Sequence, residues 1–299
     1  MDWYGLAESA VTKWVRGVQA KQPVSLKDLV PVARGIVESL KQTDQIFGKV
    51  LIPSNPSLIH NLVHVAIVSA KVGLGLGYSS EQLLRLTLAG LVHDVGMFLL
   101  PNELLETHGR WSREQITTLH RHPLLGADTL KPLSAEFPDL PTIVMQEHER
   151  LNGKGYPNGL KGDQIHDFAL IIGIADMFDA VQRARPYRPR MLPHQAIREV
   201  LVVEKDAFPI QVIKSLVQQC SLFPIGTPVR LNTGEIGLVV QANPRYPLRP
   251  VVRITRGADQ APPHTPKLLD LSRLPLVHII EAVPPEGSGG VRAHVEVPR

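Results

Sequence analysis

The sequence predicts a mainly α protein, a helical bundle with a small β-rich appendage at its C-terminal end. Apolar residues recur at three-to-four spacing through most of the chain, the period that lines one face of an α-helix. From about Leu222 the texture changes to short Val-rich runs separated by Asn-Thr-Gly and Asn-Pro-Arg-Tyr-Pro turns, which read as strands. With 299 residues and 43% hydrophobic content, the chain can bury a sizeable core.

Taken in order, Val11, Trp14, Val15, Val18, Leu29, Ile36 and Leu40 mark amphipathic helices broken near Gln22-Pro23, so residues 1–51 form a helical lead-in. Residues 52–221 hold helices over Leu58–Leu76, Ser80–Val92, Ser112–Leu130, Pro141–Glu149, Phe168–Ala184 and Leu192–Val203, with Ser80 as the N-cap of the second. Residues 222–299 hold strands over Pro228–Leu231, Glu235–Gln241 and Pro250–Thr255, then a loop over Ala258–Pro266 and a flexible stretch over Pro284–Gly290. No internal repeat is visible. Trp3, Trp14 and Trp111 read as packing residues. Gly73, Gly75 and Gly77 end a helix and lack the spacing of a dinucleotide loop.

Composition narrows the function. No run of about 18 uninterrupted apolar residues occurs, and MDWYGLAESA lacks the basic opening and apolar core of a signal peptide, so no membrane association is expected. A lone Cys220 excludes an internal disulfide and points to a reducing, cytoplasmic setting. A formal charge of +4 tolerates a phosphate ligand, but no Lys/Arg stripe with interleaved aromatics suggests DNA or RNA. Twelve histidines, several beside carboxylates, point instead to metal chemistry.

His93 and Asp94 end the apolar helix that contains Leu-Ala-Gly-Leu-Val. A carboxylate beside an imidazole can bind one metal ion or bridge two, which the imidazole cannot do. His122 precedes Pro123, Glu147 adjoins His148, and Asp176 interrupts the run Leu-Ile-Ile-Gly-Ile-Ala. Each alone has an ordinary explanation: a polar helix end, a hydrogen-bonded core histidine, or a carboxylate that pairs with Arg or caps a helix. Together they favour a metal centre.

The stretches HDVG (His93 to Gly96), HPLLG (His122 to Gly126), HERLNGKGYPNGLKG (His148 to Gly162), IADMFDA (Ile174 to Ala180) and RPYR (Arg185 to Arg188) resemble the HD-GYP family of cyclic di-GMP phosphodiesterases in order and spacing. The resemblance spans roughly Leu58 to Val203 and implies a helical HD-type bundle that holds two or three divalent ions, Fe or Mn. It implies metal ligation by His93, Asp94, His122, Glu147, His148 and Asp176, with His93 and Asp94 at the catalytic centre. Substrate contacts fall to Gly155, Tyr156, Pro157, Asp179, Arg185 and Arg188, although Arg185 also reads as a salt-bridge partner of Asp179. The reaction implied is attack of metal-activated water on a phosphorus of cyclic di-GMP, giving pGpG and, with a second cut, GMP. A homodimer or a signalling protein partner is left open.

Three positions depart from the family pattern. Met97 stands where a Lys is usual, Glu147 where a His is usual, and Asn61 where a metal-binding His is expected. His60 and His64, four apart on one helical face, either replace the missing ligand through a small rotation or simply line the helix. The rival reading is therefore a degenerate member that binds a nucleotide or a protein without turnover.

Overall fold

The computed structural model describes residues 1–43, 45–51, 57–105, 111–182, 206–219, 223, 225–243, 246, 248–259, 261–263 and 265–283. The chain divides into two compact units, Met1–Cys220 and Ser221–Arg299. The expected helix Leu192–Val203, the segment Pro284–Gly290, and Arg185 and Arg188 lie outside the described residues.

In the first unit, α1 (Trp3–Gln19) starts where the Asp2 carboxylate accepts from Gly5 N at 3.3 Å, and it buries Tyr4, Ala7, Val11, Trp14, Val15 and Val18. Helices α2 (Leu29–Gln42) and α3 (Gln45–Leu51) pack with it around α4 (Leu58–Gly75). Helix α4 is apolar on nearly every side, so it belongs in the middle. Every residue from Asn61 to Gly73 is buried. By length and composition α4 could cross a membrane, yet 72% of it is covered by the protein, as befits a core helix. Trp3 lies against Gly35 and the Trp14 indole donates to Ser25 O at 2.9 Å, whereas Trp111 is 39% exposed and does not pack as the sequence suggested.

Helix α5 (Ser80–Val92) packs on α4 so closely that Gly90 touches the Ala66 backbone. Its N-cap is Ser79, not Ser80. Ser79 Oγ accepts from Gln82 N while the Gln82 side chain accepts from Ser79 N, a reciprocal box that satisfies two otherwise orphaned donors. After α5 a 3-10 turn, Val95–Leu99, leads to the short α6 (Asn102–Leu105). The single helix expected over Ser112–Leu130 is two: α7 (Arg113–Leu119) and α8 (His122–Leu130). Pro123 explains the break, since proline has no N–H to continue a helix but fits the first turn of a new one. Helix α9 (Leu140–Gln146) stops earlier than predicted, leaving Glu147 as its C-cap. Helices α10 (Asp167–Gln182) and α11 (Ile210–Gln219) both pack on α4.

The second unit is an antiparallel sheet in the order β4-β3-β2-β1-β5. Strands β1 (Pro228–Leu231), β2 (Ile236–Gln241) and β3 (Val251–Arg256) match the Val-rich runs, and Gly234 takes the positive φ of 86° that the β1–β2 turn requires. Strands β4 (Leu268–Asp270) and β5 (Ile279–Ala282) bury no residue fully, and so left no alternating signal to read. Val229, Leu231, Val239, Val252, Ile254 and Leu271 form this unit's core.

The capping box gives a direct check on the helix boundary. Ser79→Ala should lower stability by about 1 kcal/mol in chemical denaturation, and Ser80→Ala by only a few tenths. Equal effects would place the cap wrongly.

Candidate metal centre

The ends of three helices deliver the polar residues to one place. His93 caps α5 and its Nδ1 lies 2.8 Å from Gly90 O; His122 opens α8 and its Nδ1 lies 2.7 Å from Leu119 O. A carbonyl only accepts, so each Nδ1 donates to it, and that bond fixes the ring with Nε2 turned inward. Gly96 lets these two elements meet, because a Cβ there would overlap the His122 carbonyl. Glu147 and His148 arrive from the end of α9, and Asp176 from the middle of α10.

His122 Nε2 lies 3.2 Å from Asp94 Oδ1, 3.5 Å from Glu147 Oε1 and 2.9 Å from His148 Nε2. His93 Nε2 lies 3.9 Å from Glu147 Oε2 and 4.0 Å from both Asp94 Oδ2 and Asp176 Oδ1. One ligand atom from each of Asp94, His122, Glu147 and His148 falls within 4.8 Å of all the others. His93 Nε2, Asp94 Oδ1 and both Glu147 oxygens are buried with no hydrogen-bond partner. Polar atoms thus face one another without partners in a site shielded from water, an arrangement costing several kcal/mol unless a cation or a proton sits among them. Nitrogen and oxygen donors in this mixture suit a divalent first-row metal.

The electrostatics agree. Burial, reinforced by Asp94 and Asp176, pushes the Glu147 carboxyl well above its ordinary range. Asp176 is raised chiefly by burial, against the opposing pull of His93. His148 is held well below the usual imidazole range by burial and then by His122.

Asn61 Nδ2 donates to Asp176 Oδ1 at 2.9 Å and to Asp179 Oδ2 at 3.0 Å, giving the Asp176 carboxylate an amide partner where the sequence suggested a cation, an Arg or a cap. His64 bonds through Nδ1 to Asp179 Oδ1 at 2.9 Å and through Nε2 to the Tyr4 hydroxyl at 2.7 Å. His60 turns away to Glu8 Oε1, at 2.8 Å, and to Ser57. Neither histidine joins the cluster, which corrects the suggestion that one or both replace the missing ligand. Asp179, expected at the substrate, is buried in this network with its carboxylate shared between Asn61 and His64.

Beside the cluster, the loop after α9 folds over His148. Gly155 lies against the backbone of His148, Glu149 and Arg150, where no side chain would fit. Tyr156, joined to Pro157 by a cis bond, stacks on His148 with ring centroids 4.6 Å apart. Two residues that the sequence reading passed over complete the loop. Glu149 is fully buried and accepts from Asn158 N at 2.7 Å and Leu160 N at 2.9 Å. His120 stacks on the Tyr156 ring at 3.8 Å, making a His120–Tyr156–His148 pile. The Glu149 signal was present in its position next to His148; the His120 contact depends on the break before α8 and left no local trace.

Burial raises the Glu147 pKa and a bound cation favours its ionised form, so metal affinity should climb with pH. His148, already neutral, adds no proton near pH 7. Calorimetric titration of chelator-treated protein with Mn2+, in buffers of different ionisation enthalpy at about pH 6 to 7, should show net proton release. No release would mean that Glu147 is ionised before the ion arrives.

The HD domain family matches residues 45–206, and a KOW domain associated with HD domains matches residues 228–288. A cyclic di-GMP phosphodiesterase of Pseudomonas aeruginosa is 32% identical over 189 residues, covering 62% of this chain and 45% of that protein. A 3′3′-cGAMP-specific phosphodiesterase of Vibrio cholerae is 32% identical over 145 residues, covering 48% of this chain and 31% of that protein. The chain thus spans less than half the length of either relative. An HDG"Y"P protein of Bdellovibrio bacteriovorus shares the fold with a TM-score of 0.60, at 20% identity over 72% of this chain and 69% of its own. The chain therefore belongs to the HD domain family, and it carries the HDVG and GYP stretches by which it resembles that family's HD-GYP members.

Proposed function

We propose that this protein is a metal-dependent phosphodiesterase that opens cyclic di-GMP to linear pGpG with two divalent ions, Fe or Mn, and cuts further to GMP only as a second event. The observation that carries the reading is the convergence of buried, unpartnered His93, Asp94 and Glu147 atoms beside a tyrosine-bearing loop. Relatives named for cyclic di-GMP and 3′3′-cGAMP support a cyclic dinucleotide as the substrate class.

Divalent ions held there supply an acidified water and neutralise charge that develops on the attacking and leaving oxygens. The chain does the rest. His93 and His122, locked by their Nδ1 bonds, present nitrogen donors in fixed directions. Asp94 has one oxygen toward each of those rings and is the residue best placed to serve both ions. The Tyr156 hydroxyl, raised far above its ordinary pKa by burial and by Glu147, Asp94 and Asp176, stays protonated. It can therefore donate a hydrogen bond to a phosphate oxygen but cannot act as a base. Glu149 holds the loop that carries it, through the amides of Asn158 and Leu160. Met97, half-buried in the 3-10 turn, brings no charge to the phosphate where the resemblance implies a Lys.

The test is hydrolysis of cyclic di-GMP by protein reloaded with Mn2+ or Fe2+, products separated by chromatography. Asp94→Ala should lower the rate by at least about 10²-fold and strip metal from the protein, whereas Met97→Lys should raise the rate. A metal-loaded wild type that binds cyclic di-GMP without cutting it would establish the binding-only reading instead.

A further inference from the structure

Glu147 repeats the geometry of Asp94. The two Asp94 oxygens are divided between His122 Nε2, 3.2 Å from Oδ1, and His93 Nε2, 4.0 Å from Oδ2. Glu147 Oε1 likewise faces His122 at 3.5 Å and His148 at 3.8 Å, while its Oε2 faces His93 at 3.9 Å. The Glu147 side chain is 1% exposed and neither oxygen has a hydrogen-bond partner; His93 Nε2, fully buried, lacks one as well. Nearby, the Arg150 guanidinium donates to the carbonyls of Glu147 and Glu149. Across the site, the Asn61 amide is committed as a donor to Asp176 and Asp179, and its orientation is fixed by the His64–Tyr4 pair behind Asp179.

We propose that Glu147 is a second bridging carboxylate, spanning the same two ions as Asp94, and that Asn61 is a positioning residue that aims Asp176 at one of them. The inference rests on the two-ion reading given above. One ion then has His122, His148 and an oxygen from each bridge; the other has His93, Asp176 and the two remaining oxygens. Each receives four protein donors, enough for a stable site. An imidazole at position 147 offers one inward lone pair and serves only one ion. Glu147 thus returns the donor that Asn61 withholds, and the two departures form a compensating pair. The consequence runs opposite to the simplest expectation from the family pattern: placing His at 147 alone weakens the centre.

The experiment counts ions rather than turnovers. Wild type, Glu147→His, Asn61→His and the double variant are stripped with chelator and reloaded with Mn2+. Manganese per chain is then measured by mass spectrometry and magnetic coupling by electron paramagnetic resonance. Wild type should hold about two coupled ions and Glu147→His about one, with an uncoupled signal; the double variant should regain about two. Two coupled ions in Glu147→His alone, or one ion in wild type, would overturn the bridge. If Glu147→His does not fold, the near-isosteric Glu147→Gln is read the same way, one ion kept in support and two against. A wild type with two coupled ions that leaves cyclic di-GMP uncut upholds the bridge while defeating the proposed activity.

Discussion

Burying His93, His122, Asp94 and Glu147 together places several lone pairs against one another, and for four of their atoms no donor within the described residues answers. Each imidazole commits its Nδ1 proton to a carbonyl one turn back and turns Nε2 toward the carboxylates. Much of the surrounding structure makes sense as what is needed to hold such a frustrated cluster in place. Helices α5, α8 and α9 all begin or end at it, and terminal positions let a side chain lean past its own helix. Gly96 admits the α8 backbone, and Gly155 admits the loop over His148. The apolar helix α4, buried along most of its length, is the rigid post against which α5 and α10 are packed.

That arrangement was largely legible in the sequence where chemistry is local. Asp176 in an apolar run, and His93 with Asp94 at the end of another, are anomalies of burial that announce a partner by residue type and setting alone. The break at Pro123 and the β1–β2 turn at Gly234 follow from backbone rules that act on single residues. What stayed hidden depends on contacts between distant elements. The face of α4 that turns inward is set by packing with α1 and α10, and it delivers Asn61, not His60 or His64, to Asp176. The His120–Tyr156 stack needs the α7–α8 break and the loop after α9 to meet, and no periodicity encodes that meeting. Strands β4 and β5 were missed for a different reason: short strands with no fully buried residue carry no alternating pattern to detect.

The N-terminal helices, read from sequence as a lead-in, pack in the same compact unit as the centre. Tyr4 on α1 bonds to His64, His64 to Asp179, Asp179 to Asn61, and Asn61 to Asp176. Along this chain each residue is hydrogen-bonded to the next, in contrast to the adjoining cluster of His93, Asp94 and Glu147, where four buried atoms have no partner. The two networks share Asp176, so its Oδ1 is both an acceptor for Asn61 and a neighbour of His93 Nε2. A neutral amide adds no charge beside the carboxylate it holds, whereas Lys or Arg would offset that carboxylate's charge. Asn61 therefore aims Asp176 without competing for it electrostatically. The same position would hold a ligand if it were His, and then Asp179 would lose the amide that fixes it. The sequence at position 61 thus decides between a donor that orders two carboxylates and a ligand that leaves one of them to find another partner, and in this chain the hydrogen-bonded relay back to Tyr4 goes with the ordered alternative.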